Sequence, residues 1–520
     1  MSYPHPPRRS AARAAAVGLL ATVTLISLAT TQPAVAAPAA RGSASDPAGG
    51  PRTTHPAAGP ESVTGPIPST ARPGDPSRDY VFYSTPYDLR RAGYVEQEYF
   101  ISGTATRYPA VNPDETRAAS PIGASPYTTR IVVRRPLDPR RSAGVAVVDW
   151  QNVTAGHDID TEWGTSADYF VRNGWTWIGA SVQWVGVNGL PEADPRGGNG
   201  LVQWNPARYG SLDLTAGGTV TDDSQSFDIY TQIGELAKDR SHGNPLRDLR
   251  LRHVYAAGAS QSARFLGVYY NTVQETARLY DGFLLAIGGS ALAPRQAVGT
   301  KVLRVWTETD IYRGLAAPST RVPDNPVLRT WEIAGASHVP AYAVSQDPND
   351  FRATLGGIQD RDLGPSEPFD CVNPGPSRVP SWAVFHAAYD QLDDWVRHGE
   401  APPSAPRLEV IAPGPPAEIA RDALGIARGG IRLPSVAVPT ELNNGVNAPA
   451  NLDNPLNQFC VLYGTNRPFT AEQEDGLYRS DAEYRGKVLA QLVRLVRDGF
   501  VLVRDIPALY REAVARDIVD

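Results

Sequence analysis

Three residues of suitable chemistry occur in a telling order along the chain: Ser260, Asp310 and His338. Ser260 stands in Gly258-Ala-Ser-Gln-Ser262, directly after the apolar run His253 to Ala257 and directly before the helix-like run Gln261 to Thr276. A serine at a strand-to-helix junction of this kind sits on a tight turn that lifts its hydroxyl clear of the backbone, and such a turn tolerates only small residues two before and two after it. Gly258 and Ser262 meet that limit, Ser262 standing where a second glycine is usual. Gly-x-Ser alone is a loose pattern, and it recurs at Ser166, Ser181, Ser290, Ser366 and Ser377. Only Ser260 combines a buried strand before it, small residues on both sides and a helix straight after it, whose first amides favour a developing negative charge.

A serine hydroxyl is a weak nucleophile near neutral pH, so it needs a base and an acid that orients the base. The apolar run Val302 to Trp306 ends in Thr307-Glu-Thr-Asp310, which puts a carboxylate in the loop after a sheet strand. Asp310 is the favoured acid because it has more reach past the strand end, with Glu308 as its rival. The next strand-like run, Leu328 to Ile333, ends in Ala334-Gly-Ala-Ser-His338, which supplies the base. His5 and His55 lie in the leader and linker. His157, His242, His253, His386 and His398 lack a strand-end position after the acid, although His157 is able to approach the pocket.

An oxyanion hole needs two backbone donors. One is the amide of Gln261; the other is expected from the Gln151 to Gly156 loop, at Asn152 or Val153. Together these residues describe acyl transfer through an acyl-enzyme, with carboxylic ester hydrolysis as the leading reaction. The same triad serves an acyltransferase or a peptidase, and an inactive scaffold of this kind would be a secreted binding protein. The chemistry calls for no cofactor and no metal. Trp150, Trp163, Trp184 and Trp204 border these segments and are candidates either for an apolar acyl pocket or for core.

The elements that must position these groups alternate between strand and helix. Tyr80 to Tyr83, Glu98 to Thr104 and Thr128 to Arg134 read as strands, and Gly144 to Trp150 and Trp175 to Ser181 as strands buried on both faces. Helices are expected over Glu162 to Asn173 and Asp222 to Lys238, with a long surface excursion at 186–220 between them. Further strands at Phe283 to Ile287, Val302 to Thr307 and Leu328 to Ile333 complete an α/β pattern with a mainly parallel sheet. Beyond 345 the chain is rich in Pro around 362–380 and 400–470, interrupted by a helix at Ser381 to His398. Helices from Tyr484 to Val496 and from Asp505 to about Arg516 close the chain.

The 520 residues carry a net charge of −6 and no long basic run, which argues against a nucleic-acid partner. The segment 1–36 has Arg8, Arg9 and Arg13, an apolar stretch from Ala14 to Ala29 and small residues at Ala34 to Ala37, the order of a signal peptide for Sec or twin-arginine export. Residues 37–77, dense in Pro, Ala, Gly and Ser, read as a disordered linker. Secretion follows, with no stable membrane insertion after the leader is removed. The two cysteines, Cys371 and Cys460, are then expected to form one disulfide.

At Val147 to Val153, Gly174 to Gln183, Arg208 to Gly210, Gly258 to Phe265, Thr307 to Asp310, Ala334 to His338 and Gly429 to Pro434 the sequence resembles the α/β-hydrolase superfamily. More narrowly, it is similar to a group of bacterial "alpha/beta hydrolase domain" proteins with a Gly-Ala-Ser-Gln-Ser elbow. The likeness runs from about 80 to 515. It implies an α/β-hydrolase fold over 78–520, a mainly parallel central sheet flanked by helices with a Pro-rich insertion or lid at about 345–470 after His338. It also implies ester hydrolysis by a serine enzyme, without choosing between a small-molecule and a polymeric ester.

Overall fold

The computed structural model describes residues 59–110, 113–365, 368–373 and 375–515. The expected signal peptide at 1–36 and the first part of the expected linker, 37–58, lie outside the described residues. Nine strands build the principal sheet: β1 (Ser62–Thr64), β2 (Tyr94–Arg107), β3 (Gly123–Pro136), β4 (Val145–Trp150), β5 (Thr176–Ala180), β6 (His253–Ala259), β7 (Gly282–Ala286), β8 (Lys301–Thr307) and β9 (Leu328–Ile333). Their order across the sheet is β1-β2-β3-β5-β4-β6-β7-β8-β9. From β5 to β9 every neighbouring pair is parallel, while β1, β2 and β3 form an antiparallel edge. This is the mainly parallel sheet of an α/β hydrolase.

The parallel centre is apolar on both faces because helices cover both. Along β4 every residue is buried, and its side chains alternate: Val145 and Val147 join one cluster, Ala146 and Val148 the other. The first face is covered by α1 (Thr161–Arg172), α4 (Trp382–His398) and α5 (Asp481–Arg497), through Trp163, Phe170, Tyr389, Leu392, Val488 and Leu492. The opposite face is covered by α2 (Ser226–Lys238) and α3 (Gln261–Tyr269), through Phe227, Tyr230, Ile233 and Leu266. Each such fully buried side chain contributes roughly 1.5–3 kcal/mol. Among the described residues no helix is long and apolar enough to cross a membrane.

Four expectations are corrected. Residues 59–77 are not linker: Val63 pairs with Ile101 as β1 joins the edge of β2, and the Arg208 guanidinium donates to the Pro68 carbonyl at 2.7 Å. Tyr80 to Tyr83 is not a strand. Its aromatics anchor a buried turn in which Tyr83 has φ 60°, and Tyr80 and Phe82 both pack on Trp204. The 186–220 stretch is not a surface excursion, since Val187, Leu201, Trp204, Tyr209, Leu212 and Leu214 are buried beneath it. Finally, the 345–470 insertion is not continuous. The apolar face of α4 packs on β7 and β8 and makes that helix part of the sheet's cover, so the Pro-rich chain forms separate excursions before and after it.

Those excursions are tied together by the Cys371–Cys460 disulfide, with Cα atoms 5.4 Å apart and a sequence separation of 89. A cross-link closing so long a loop stabilises by up to about 4 kcal/mol in the chain-entropy view. Reduction, or the Cys371→Ser and Cys460→Ser double variant, is expected to lower the thermal unfolding temperature of the chain. An unfolding curve unmoved by reductant would show that the cross-link adds no stability.

Candidate active site

The site starts from a backbone constraint. At the end of β6 the chain passes from strand to helix within one residue, and Ser260 takes up that reversal at φ 59°, ψ −118°. A positive φ is costly for a residue with a side chain, and it persists only when the surroundings hold it. The Ser260 amide donates to Ala286 O in β7 at 2.9 Å. Inside the turn, Ser262 Oγ accepts from the Ala259 amide at 2.9 Å and donates to the Ala259 carbonyl at 2.8 Å. A hydroxyl therefore closes the turn at the position where glycine is usual. Close packing does the rest: a Cβ at Gly288 would meet Ser260 O at 2.5 Å, and one at Gly258 would meet the Ser262 Cα-bound carbonyl carbon and Oγ at 3.3 Å.

His338 and Asp310 reach Ser260 from the ends of β9 and β8. His338 Nε2 is 2.7 Å from Ser260 Oγ, and His338 Nδ1 is 2.6 Å from Asp310 Oδ1. A carboxylate can only accept, so the Nδ1 proton points to Asp310 and leaves Nε2 as the acceptor for the serine hydroxyl. The second oxygen of Asp310 accepts from Thr307 N at 2.8 Å and Thr307 Oγ1 at 2.7 Å. Glu308 does not touch the imidazole. It is fully buried, accepts from the Gly335 amide at 2.8 Å and pairs with Arg421 at 2.8 Å, which braces the turn that carries His338. The same turn is bonded to the excursions: Val339 N donates to Leu462 O at 2.8 Å, and Ser377 Oγ to Gly335 O at 2.6 Å.

The loop after β4 lies against the turn that carries Ser260. Asn152 Nδ2 donates to the Ala259 carbonyl at 2.9 Å while its Oδ1 accepts from Thr154 N at 2.8 Å. Its backbone pairs with Ile159 in an antiparallel bridge. Gln261 opens α3 beside Ser260. Two arginines of β3, four residues apart and so on one face, hold the far end of this loop from across β5. Arg130 pairs with Asp158 at 3.3 Å and Glu98 at 3.1 Å, and Arg134 with Asp160 at 2.5 Å and Glu96 at 2.8 Å. Both guanidiniums are buried, and Arg134 also lies over the rings of Trp163 and Trp177. Sequence pattern did not single out this pair, whose only signal is two arginines inside a run of strand-forming residues.

Ser260 and His338 open into a cavity of about 880 Å3. None of the four candidate tryptophans lines it. Trp163 is core on one face of the sheet, Trp150 and Trp204 are core on the other, and Trp184 packs at the edge of that second cluster. The walls come instead from the loops after β4 and β9 and from the two excursions, with Phe369, Phe459 and Tyr463 overhead. His157 does line the cavity, but its Nε2 is 2.9 Å from the Tyr83 hydroxyl and burial holds its pKa down to about 4, so it stays neutral. Glu162 lies in the wall too, accepts from Tyr389 OH, and is pushed up to about 7 by burial. Burial, and then the nearby Glu162, raise Asp149 well above the usual carboxylate range.

The family model described as "Alpha/beta hydrolase domain" matches residues 63–511. No curated protein matches the chain. Among solved structures, a protein assigned as a dienelactone hydrolase from Klebsiella pneumoniae subsp. pneumoniae is 12% identical over 49% of this chain and 91% of its own, with a TM-score of 0.26. Esterase Est22 is 11% identical over 42% of this chain and 64% of its own, with a TM-score of 0.23. An assigned acetyl xylan esterase from Bacteroides fragilis is 11% identical over 37% and 44%, with a TM-score of 0.20.

Two outcomes follow from the charges. Arg130→Met leaves Asp158 buried without its cation and Glu98 with Arg208 as its remaining one, and is expected to cost about 3–5 kcal/mol in denaturant unfolding; a loss below about 1 kcal/mol would contradict the clamp. Folded Glu162 keeps a proton that the unfolded chain releases near 4.5. Its contribution is therefore fully present below that pH and is lost as pH rises toward about 7. Stability measured across this window should fall less steeply in Glu162→Gln than in the parent, and superimposable profiles would refute the assignment.

Proposed function

The chain belongs to the alpha/beta hydrolase domain family and is a hydrolase; from that premise we propose that it is a secreted serine hydrolase of carboxylic esters. The observation that carries this reading is the unbroken line of contacts from Ser260 Oγ through His338 to Asp310, opening into the cavity. In the proposed reaction His338 Nε2 takes the Ser260 proton as Oγ bonds to the ester carbonyl carbon. The imidazolium that forms is balanced by Asp310, whose other oxygen is already occupied by Thr307. Collapse of the tetrahedral adduct breaks the bond to the alcohol, which leaves with the proton from His338. Water then repeats the sequence on the acyl-enzyme and restores Ser260.

For the oxyanion we assign the amide of Gln261 and a second amide from the loop after β4, that of Asn152 or Val153. Gln261 adds the N-terminal field of α3, and Asn152 lines the cavity while it is the Asn152 carbonyl that accepts from the Ile159 amide. The Asn152 side chain has a different part in this scheme, fixing the loop to the Ala259 carbonyl one residue before the nucleophile. The leader-like sequence at 1–36 and the Cys371–Cys460 disulfide both support export to an oxidising compartment.

Hydrolysis of p-nitrophenyl butanoate tests the scheme. Ser260→Ala should abolish it with folding retained, and Asp310→Asn should lower kcat by about 10^3- to 10^4-fold, as loss of the orienting carboxylate does in other triads. Glu308→Gln should act mainly on stability, with far less effect on kcat. Full turnover by Ser260→Ala would refute the nucleophile, and a larger kcat loss in Glu308→Gln than in Asp310→Asn would exchange the two acids.

A further inference from the structure

The chamber around Ser260 and His338 is larger and more apolar than an acetyl group requires. Its volume of about 880 Å3 lies toward the upper end of the roughly 300–1,000 Å3 range in which proteins enclose drug-sized ligands. Apolar residues line it throughout, and the two excursions supply a group of aromatic rings as its roof. Leu456 and Leu462 line it beside three aromatic rings, and the Phe369 ring is centred 6.0 Å from Phe459 and 5.4 Å from Tyr463. These side chains come from two segments joined by Cys371–Cys460, and Cys371 itself lines the chamber. The cross-link keeps one half of the roof from withdrawing without the other. The cations in the walls are already matched: Arg196 with Asp194 at 2.9 Å and Arg352 with Asp168 at 2.6 Å. An anionic substrate would have to displace one of these partners, whereas an uncharged apolar group meets aromatic and aliphatic surface without that loss.

From this arrangement we infer that the substrate is a small, uncharged ester bearing a bulky apolar group, which lies against the stapled aromatic roof while its carbonyl reaches Ser260. The inference rests on the serine-hydrolase reading for the fate of the ester, but the size and polarity of the chamber are independent of that chemistry. Each methylene buried against such a roof is worth roughly fourfold in affinity.

Binding and turnover are therefore measured separately. Disulfide-intact Ser260→Ala protein is titrated by calorimetry with ethyl acetate, ethyl butanoate, ethyl hexanoate, ethyl benzoate and the charged monoethyl succinate. Ethyl hexanoate and ethyl benzoate should bind at least tenfold more tightly than ethyl acetate, and monoethyl succinate no more tightly than ethyl acetate. Adding Phe459→Ala should remove at least fivefold of the gain of ethyl hexanoate and ethyl benzoate over ethyl acetate; Leu456→Ser serves as the second roof variant if Phe459→Ala does not fold. A flat series, tighter binding of the charged ester, or a gain untouched by the roof variants would overturn the inference. The parent protein is then assayed for hydrolysis of the same esters and of a polyester film. Turnover that favours the film over every soluble ester would also overturn it, while a binding gain with no turnover of any ester keeps the apolar ligand class and sinks the serine-hydrolase reading.

Discussion

The whole site depends on one residue being held in a conformation it would not choose. Ser260 occupies positive φ because strand β6 must become helix α3 without an intervening loop. Everything near it serves that requirement. Gly258 and Gly288 give the backbone room, Ser262 Oγ bonds both the amide and the carbonyl of Ala259, and Ala286 receives the Ser260 amide. The cost of such a conformation is of order 1–3 kcal/mol. It is offset by the fully buried parallel strands on either side, β4 and β7, which hold the end of β6 in register. In return the hydroxyl stands clear of the sheet with helix α3 starting directly behind it.

The other groups are brought to that point by the same sheet and then locked by polar contacts that do not react. Asp310 and His338 come from the ends of two neighbouring strands, β8 and β9, so their separation is set by sheet geometry. Glu308 ties the His338 turn to Arg421, and Leu462 and Ser377 tie it to the roof. On the opposite side Arg130 and Arg134 hold the loop that carries Asn152 and Val153. Buried ion pairs of this kind add little net stability compared with apolar packing, but each partner is expensive to strand, and that makes the loop position hard to alter. The excursions, the His338 turn and the loop after β4 are thus bonded into one unit around Ser260.

Much of this was legible in the sequence because it was local. The buried strands announced themselves as apolar runs, and Ser260, Asp310 and His338 as polar residues directly after such runs. The two cysteines had no partner but each other. Reach past the strand end favoured Asp310 but left Glu308 as a rival, since both lie in the same turn and only the fold decides which oxygen faces the imidazole. Local spacing could not find Gly288, Arg130 or Arg134, or the bond from the Asn152 side chain to the Ala259 carbonyl, all of which depend on contacts across the sheet. Aromatic density misled in two places. Tyr80 to Tyr83 has strand-like composition, yet its rings are used to pack a turn against Trp204, and the tryptophans near the site serve the core. The Gly- and Pro-rich stretch at 186–220 looked like surface because its few large side chains are widely spaced, although most of them are buried.

The central claim is that catalysis passes through an ester bond to Ser260, and the most direct test is to trap that bond. Brief reaction with a p-nitrophenyl ester, acid quenching and tryptic digestion should leave the acyl mass on the peptide His253 to Arg264, localised to Ser260 by fragmentation. Rapid turnover with that peptide unmodified and the acyl group found on a different residue would contradict the account.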